Sequence, residues 1–173
     1  ALMFLETINY KPKFMITESH VTAAQESWGQ GVVAIGALLE NFEACKSYAT
    51  DFLDSHYAFG LSKVLFKPTK CSQQQFRATR EEALSYFIAG DDRACNEDKG
   101  FALAPWTNVR FENTGIIIDE QRAIAMGNYY FTDTDGKEAK VEYTFAYRLV
   151  EDSLLIDVHH SSFPYNTVEL INA

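Results

Sequence analysis

The chain is poor in the residues from which the most recognisable sites are built. It has 3 cysteines in 173 residues, Cys45, Cys71 and Cys95. An odd number leaves at least one thiol unpaired and no CxxC spacing occurs, so neither a disulfide framework nor a thiolate zinc site is indicated. Histidines number 4. His159 and His160 are neighbours that a strand would point to opposite faces, and His20 and His56 fall in helical stretches without ligand spacing, so no imidazole metal site is expected. Positive charge is scarce too: 15 Lys and Arg stand against 24 Asp and Glu, a formal net charge of −9. Affinity for a phosphate backbone rests on cations that displace condensed counterions, so nucleic acid is not an expected partner. No apolar run approaches the ~20 residues that span a bilayer, and no membrane partner is expected either. Because the chain opens at Ala1 rather than Met, we expect a processed product or an excised domain. It should be soluble, with a plastid or the periplasm as the compartment reached after loss of a targeting segment.

What the chain does have is rings: 13 Phe and 9 Tyr. That is more than a minimal core needs, and tyrosine in excess points to a lined cavity or a buried interface. A chain of this length buries roughly 70% of its unfolded surface in one core, so residues 1–173 are expected to form a single domain.

Val21, Ala24, Trp28, Val32, Ile35, Leu39 and Phe42 recur every three or four residues, the stripe of one long amphipathic helix from 17 to about 42. Gly29, Gly31 and Gly36 within it lower helix propensity, and a curved sheet lying close against that backbone would explain them. A second helix is expected over about 44–57, with Tyr48 and Phe52 on one face. A strand over 64–66 ends at Pro68, which cannot donate to a ladder. Thr79 followed by Glu82 is a capping box that opens a third helix, closed at Gly90, with Tyr86 at the edge of its apolar face. The charged segment 91–100 reads as a loop and a candidate lid. Thereafter the pattern is strand: 109–112, 116–119, 122–131, 137–149 and 154–162, with a hairpin turn at Asp135-Gly136. Helices followed by a meander of strands indicate an α+β domain whose antiparallel sheet curls round the long helix and leaves a pocket at its open end. Trp28 and Trp106 are expected in the core.

The stretches VLFKPTKCSQQQFR (64–77), ALSYF (83–87), VEYTFAY (141–147) and DVHHSSFPY (157–165), in this order, resemble the iota-class carbonic anhydrases. Their domain is similar to the association domain of calcium/calmodulin-dependent protein kinase II. The resemblance implies a cone-shaped nuclear-transport-factor-2-like fold, reversible hydration of carbon dioxide to bicarbonate, and no metal or other cofactor. It also implies a Thr, a Tyr and a Ser lining a polar pocket with a His beside the Ser. On this sequence the Thr matches Thr69 and the Tyr matches Tyr86. The Ser falls in the His159-His160-Ser161-Ser162 run, where two registers are open. Alternation along a strand puts Asp157, His159 and Ser161 on one face and Ile156, Val158, His160 and Ser162 on the other. Polar groups suit a hydrated pocket, which favours His159 and Ser161 as the inward pair.

Without zinc to acidify water, side chains must orient a water and stabilise charge on carbon dioxide oxygens. Thr69 and Ser161 hydroxyls both donate and accept. Tyr86 would serve as general base if its phenol were depressed toward neutrality, and His159 is the natural proton relay to solvent. Read singly, Thr69 caps the segment after Pro68 and Tyr86 is an ordinary core-edge tyrosine; the resemblance is what joins them. Two rivals stay open on this scaffold. One is a non-catalytic association module; the other is a small-ligand cyclase or isomerase, for which Asp157 is the candidate base. A homodimer is expected through the outer sheet face, because the Ile156/Val158 face and Tyr143, Phe145 and Tyr147 offer more apolar sheet than three helices cover.

Overall fold

Thr17 begins the fold by accepting from the His20 N–H while the His20 ring accepts from the Thr17 N–H, a reciprocal cap on α1 (Glu18–Ala37). The structure is a computed structural model and describes residues 13–166. α1 stops five residues short of the expected end. Asn41 accepts from the Ala44 N–H at 3.1 Å and starts a separate helix, α2 (Phe42–His56), so the apolar period runs through a turn that it does not register. On α2 the buried face is Cys45, Ala49, Phe52 and Leu53, and Tyr48 is exposed rather than sharing it.

The glycines of α1 answer to three different neighbours. A Cβ on Gly31 would lie 2.4 Å from the Phe52 ring, and one on Gly36 would lie 2.4 Å from the Ala102 carbonyl oxygen. At Gly29 the neighbour is Val109 of the sheet, at 3.1 Å. The sheet therefore accounts for one of the three close approaches.

After α2 come β1 (Leu65–Lys67) and α3 (Arg80–Ile88), the latter opened by the expected Thr79–Glu82 capping box. A 3-10 turn (Phe101–Leu103) then leads into β2 (Asn108–Ile118), β3 (Arg122–Thr132), β4 (Glu138–Val150) and β5 (Ser153–Ser162). The two short strands expected over 109–119 are one strand, β2, with its register shifted between Asn113 and Gly115. The expected hairpin at Asp135-Gly136 joins β3 to β4, with Gly136 at φ +82°.

The sheet order is β1-β5-β4-β3-β2. Four strands form the antiparallel meander, whereas β1 joins the edge of β5 in parallel, so the sheet is mixed rather than wholly antiparallel. This parallel edge carries the segment after Pro68 alongside the end of β5.

One irregularity decides which side chains face inward. Ala146 pairs with Val158 but Tyr147 pairs with Ile156, which leaves Asp157 as the extra residue of a bulge. The bulge resets the alternation: Ile156, His159 and Ser161 are all buried inside, and Asp157 turns to the Arg122 guanidinium in a two-bond pair at 2.8 and 2.8 Å. Ile156 is thus not on the outer face with Val158, nor Asp157 on the inner face with His159. Tyr143, Phe145 and Tyr147 are likewise buried in the core. In their place the outer face carries a row one residue wide across all five strands, Leu65, Val158, Ala146, Ile124 and Ile117, set side by side by the strand register. Trp28 of α1 fills the inner face, with the rings of Tyr129, Phe145 and His159 each centred 5.7 Å from its own.

Candidate active site

Three separate elements deliver the hydroxyls. β1 stops at Lys67 opposite His160, which brings Thr69, two residues on, to the end of β5. Its Oγ1 lies 2.6 Å from Ser161 Oγ. Tyr86 projects from α3, and its Oη accepts from the Lys70 N–H at 3.2 Å with the Thr69 hydroxyl beside it. Ser162 faces the other way and donates to the Glu142 carboxylate at 2.8 Å, and His160 is exposed. The register is therefore His159 and Ser161 inward, with Thr69, Tyr86 and Ser161 gathered at one end of the sheet.

Beside Tyr86 opens a cavity of about 490 Å3, walled by Phe101, Leu103 and Trp106 and edged by Lys70, Glu97 and Lys99. Phe101 stacks on Tyr86 with ring centroids 5.4 Å apart, and Trp106 Nε1 donates to the Phe101 carbonyl at 2.8 Å. Trp106 is thus a half-buried wall of the cavity rather than a core residue, whereas Trp28 is core as expected. An apolar wall opposite a phenol, with lysines at the rim, suits a small apolar molecule that becomes an anion.

Two chemical expectations are corrected. Burial pushes the Tyr86 phenol above its ordinary 10, and the hydrogen bonds from Lys70 and Thr69 offset only part of that. A phenol so held keeps its proton at neutral pH, which is the opposite of what the expected general base requires. His159 is 2% exposed, with Nδ1 on Tyr57 Oη at 2.9 Å and Nε2 on Tyr129 Oη at 3.2 Å. Burial also drives its pKa well below the ordinary 6.5. An imidazole that is neutral, buried and occupied at both nitrogens cannot carry protons to solvent.

The sequence reading missed Tyr129, whose hydroxyl makes a short hydrogen bond to Ser161 Oγ, and Tyr57, which receives the Trp28 indole N–H at 3.0 Å. Alternation with the small or apolar Ala123, Ala125 and Phe131 was the available signal that Tyr129, not Tyr130, faces in. It also missed Arg77 and Asp98, a fully buried pair joined at 2.6 and 2.7 Å behind the cavity rim. The segment expected as a lid is fastened by that pair. Asp157, committed to Arg122, faces away from these hydroxyls and supplies no base for an isomerase. Among the described residues no group of three or more His, Cys, Asp or Glu side chains is placed to hold a metal ion, and the three cysteines are free thiols.

A model of the family described as metal-independent carbonic anhydrase matches residues 19–163. The metal-independent carbonic anhydrase of Nostoc sp. (strain PCC 7120) is 44% identical to this chain over 155 residues, 87% of the chain and 75% of that relative. The crystal structure of an iota-carbonic anhydrase from a cyanobacterium, complexed with bicarbonate, superposes with a TM-score of 0.86 at 40% identity, over 91% of this chain and 98% of that one. An NTF-2 like protein of unknown function from Shewanella oneidensis MR-1 shares the fold alone, with a TM-score of 0.52 at 11% identity over 85% of this chain and 99% of that one.

Proposed function

Since the chain belongs to the metal-independent carbonic anhydrase family, we propose that it hydrates carbon dioxide reversibly at the Thr69, Tyr86 and Ser161 hydroxyls beside the cavity. The convergence of those three groups, with Thr69 and Ser161 2.6 Å apart, carries the reading.

Carbon dioxide is linear and apolar, and negative charge grows on its oxygens as a water oxygen bonds to the carbon. The Phe101 and Trp106 wall suits the ground state, and the Tyr86 and Thr69 hydroxyls suit the charge that develops. Fixed donors in a partly dry site stabilise a developing oxyanion more than mobile water does, because they need not reorganise. Ser161 holds Thr69 in place. The attacking water must lose a proton. Tyr86 and His159 are poor bases for the reasons given, and Glu97 is another poor base. Its carboxylate accepts from the Ser72, Gln73 and Gln74 N–H groups, which hold its pKa down at about 2. The proton accordingly leaves through water in the open cavity, past Lys70 and Lys99 at the rim.

Thr69→Ala, Tyr86→Phe and Ser161→Ala should each fold and lose about 10²-fold in kcat/KM, the cost of one ~3 kcal/mol transition-state hydrogen bond. Comparable losses in all three fit positioning and charge stabilisation. Ser162→Ala, which faces Glu142, should keep its rate. Full activity in all four variants would remove the catalytic reading of this pocket and favour the association module.

We propose also that two copies associate through the outer sheet face. Leu65, Ile117 and Ile124 of the cross-strand row, together with Met126 next to it, are exposed on the same outer face of the sheet. A surface of that kind favours burial against a second copy. Light scattering should give twice the chain mass, and 19.6 kDa at micromolar concentration would contradict it. No helix among the described residues is long and apolar enough to cross a membrane.

A further inference from the structure

The buried hydroxyls behind Ser161 form one continuous chain, and its far end is a group that can only donate. Trp28 Nε1–H points at Tyr57 Oη, 3.0 Å away. An indole nitrogen has no acceptor capacity, so the direction of this bond is fixed. Tyr57 has one proton of its own, and among the described residues the remaining partner of its hydroxyl is His159 Nδ1 at 2.9 Å. Were Nδ1 protonated, two donors would meet on Tyr57 Oη and its own O–H would be buried without an acceptor, in a residue 2% exposed.

Nδ1 therefore accepts, and in a neutral imidazole the hydrogen then sits on Nε2. From there the following senses give every buried hydrogen an acceptor. Nε2–H donates to Tyr129 Oη at 3.2 Å, the Tyr129 hydroxyl donates to Ser161 Oγ, and Ser161 donates to Thr69 Oγ1 at 2.6 Å. Thr69 is left with the outermost hydrogen of the chain, on the side where the Tyr86 hydroxyl lies beside it.

We propose that Trp28 and Tyr57 are positioning residues for the hydration reaction. They lock His159 as the Nε2–H tautomer and so polarise the Tyr129, Ser161 and Thr69 hydroxyls in one direction, toward Tyr86 and the cavity it lines. The proposal rests on the Thr69 and Ser161 reading of the reaction site and deepens it. Uncharged bonds aligned head to tail strengthen one another, so the terminal Thr69 O–H is a better donor than an isolated hydroxyl. The same anchoring opposes the opposite traffic. To take a proton from the attacking water, the chain would have to reverse every bond as far as Tyr57, whose hydrogen would then lack an acceptor. The chain stabilises charge; it does not conduct the proton.

The test is spectroscopic first. Long-range 1H–15N correlation on labelled wild-type protein should show His159 neutral with its hydrogen on Nε2 throughout the neutral range. An Nδ1–H tautomer, or an imidazolium, would overturn the inference. Tyr57→Phe deletes the donor to Nδ1 and little volume. It should give a mixture of tautomers and a roughly 10-fold lower kcat with KM little changed. Wild-type tautomer and wild-type kcat in a folded Tyr57→Phe protein would also overturn it. Because the wild-type spectrum needs no variant, the inference stays testable even if Trp28→Phe or Tyr57→Phe fails to fold. Failure of the site reading itself is visible separately, as full activity in Ser161→Ala.

Discussion

Two buried polar networks meet at Tyr86, and they are made of opposite materials. The Arg77 network is ionic. Arg77 and Asp98 side chains are 0% and 0% exposed, joined by two short bonds, and Asp98 takes a third from Ser85 Oγ at 2.5 Å. Arg93 holds the Asp98 carbonyl, and Glu97 next door gathers the N–H groups of the loop after β1. The Ser161 network has no charged member: indole, phenols, imidazole and hydroxyls. The difference follows from what each must do. Paired charges in a low-dielectric interior hold their geometry firmly and resist changes of protonation, which suits a loop wall. Neutral donors can meet a charge that exists only during the reaction, which a permanently paired carboxylate cannot do.

The contrast breaks most sharply at Asp98. Asp98→Asn removes the close charge partner of the buried Arg77 guanidinium and leaves only the Glu97 carboxylate at 3.7 Å, and should lower stability by about 3 kcal/mol, measured by urea denaturation, with activity falling as the fold is lost. A variant as stable as wild type would mean that the ionic network does not hold the wall. Tyr129→Phe, on the neutral side, should do the reverse. It cuts the chain between His159 and Ser161, so kcat/KM should drop at least ~10-fold while the protein stays folded. Equal damage to both properties in both variants would dissolve the distinction.

A smaller effect separates the networks by pH. Glu97 has its pKa lowered from an ordinary 4.5 to about 2. A depressed folded-state pKa contributes stability that is present above 4.5 and disappears as pH falls toward about 2. The difference in thermal midpoint between wild type and Glu97→Gln should therefore be fullest at neutral pH and shrink through that acid window. A constant difference would show that the Glu97 charge is not what is held.

The elements were mostly legible in the sequence, and the site much less so. The Thr79–Glu82 box, the Asp135-Gly136 turn and the ring-rich strands are local signals, written within a few residues. Resemblance, not pattern, singled out Thr69 and Tyr86, and strand alternation chose Ser161 over Ser162. The bulge at Asp157 was invisible because one unpaired residue inverts the pleat without changing composition, and it moved Ile156 to the core. Tyr57 and Tyr129 meet His159 across 102 and 30 residues of sequence. Nothing local marks them beyond the excess of tyrosine, which pointed correctly to buried, lined space but not to its members.

Hydration by hydroxyl groups without a metal ion is tested most directly on chelator-treated protein. Carbon dioxide hydration should be followed by stopped flow while metal content is determined on the same sample. Undiminished kcat/KM at negligible metal content is the predicted result. Activity that disappears with the chelator and returns on addition of zinc would contradict the account.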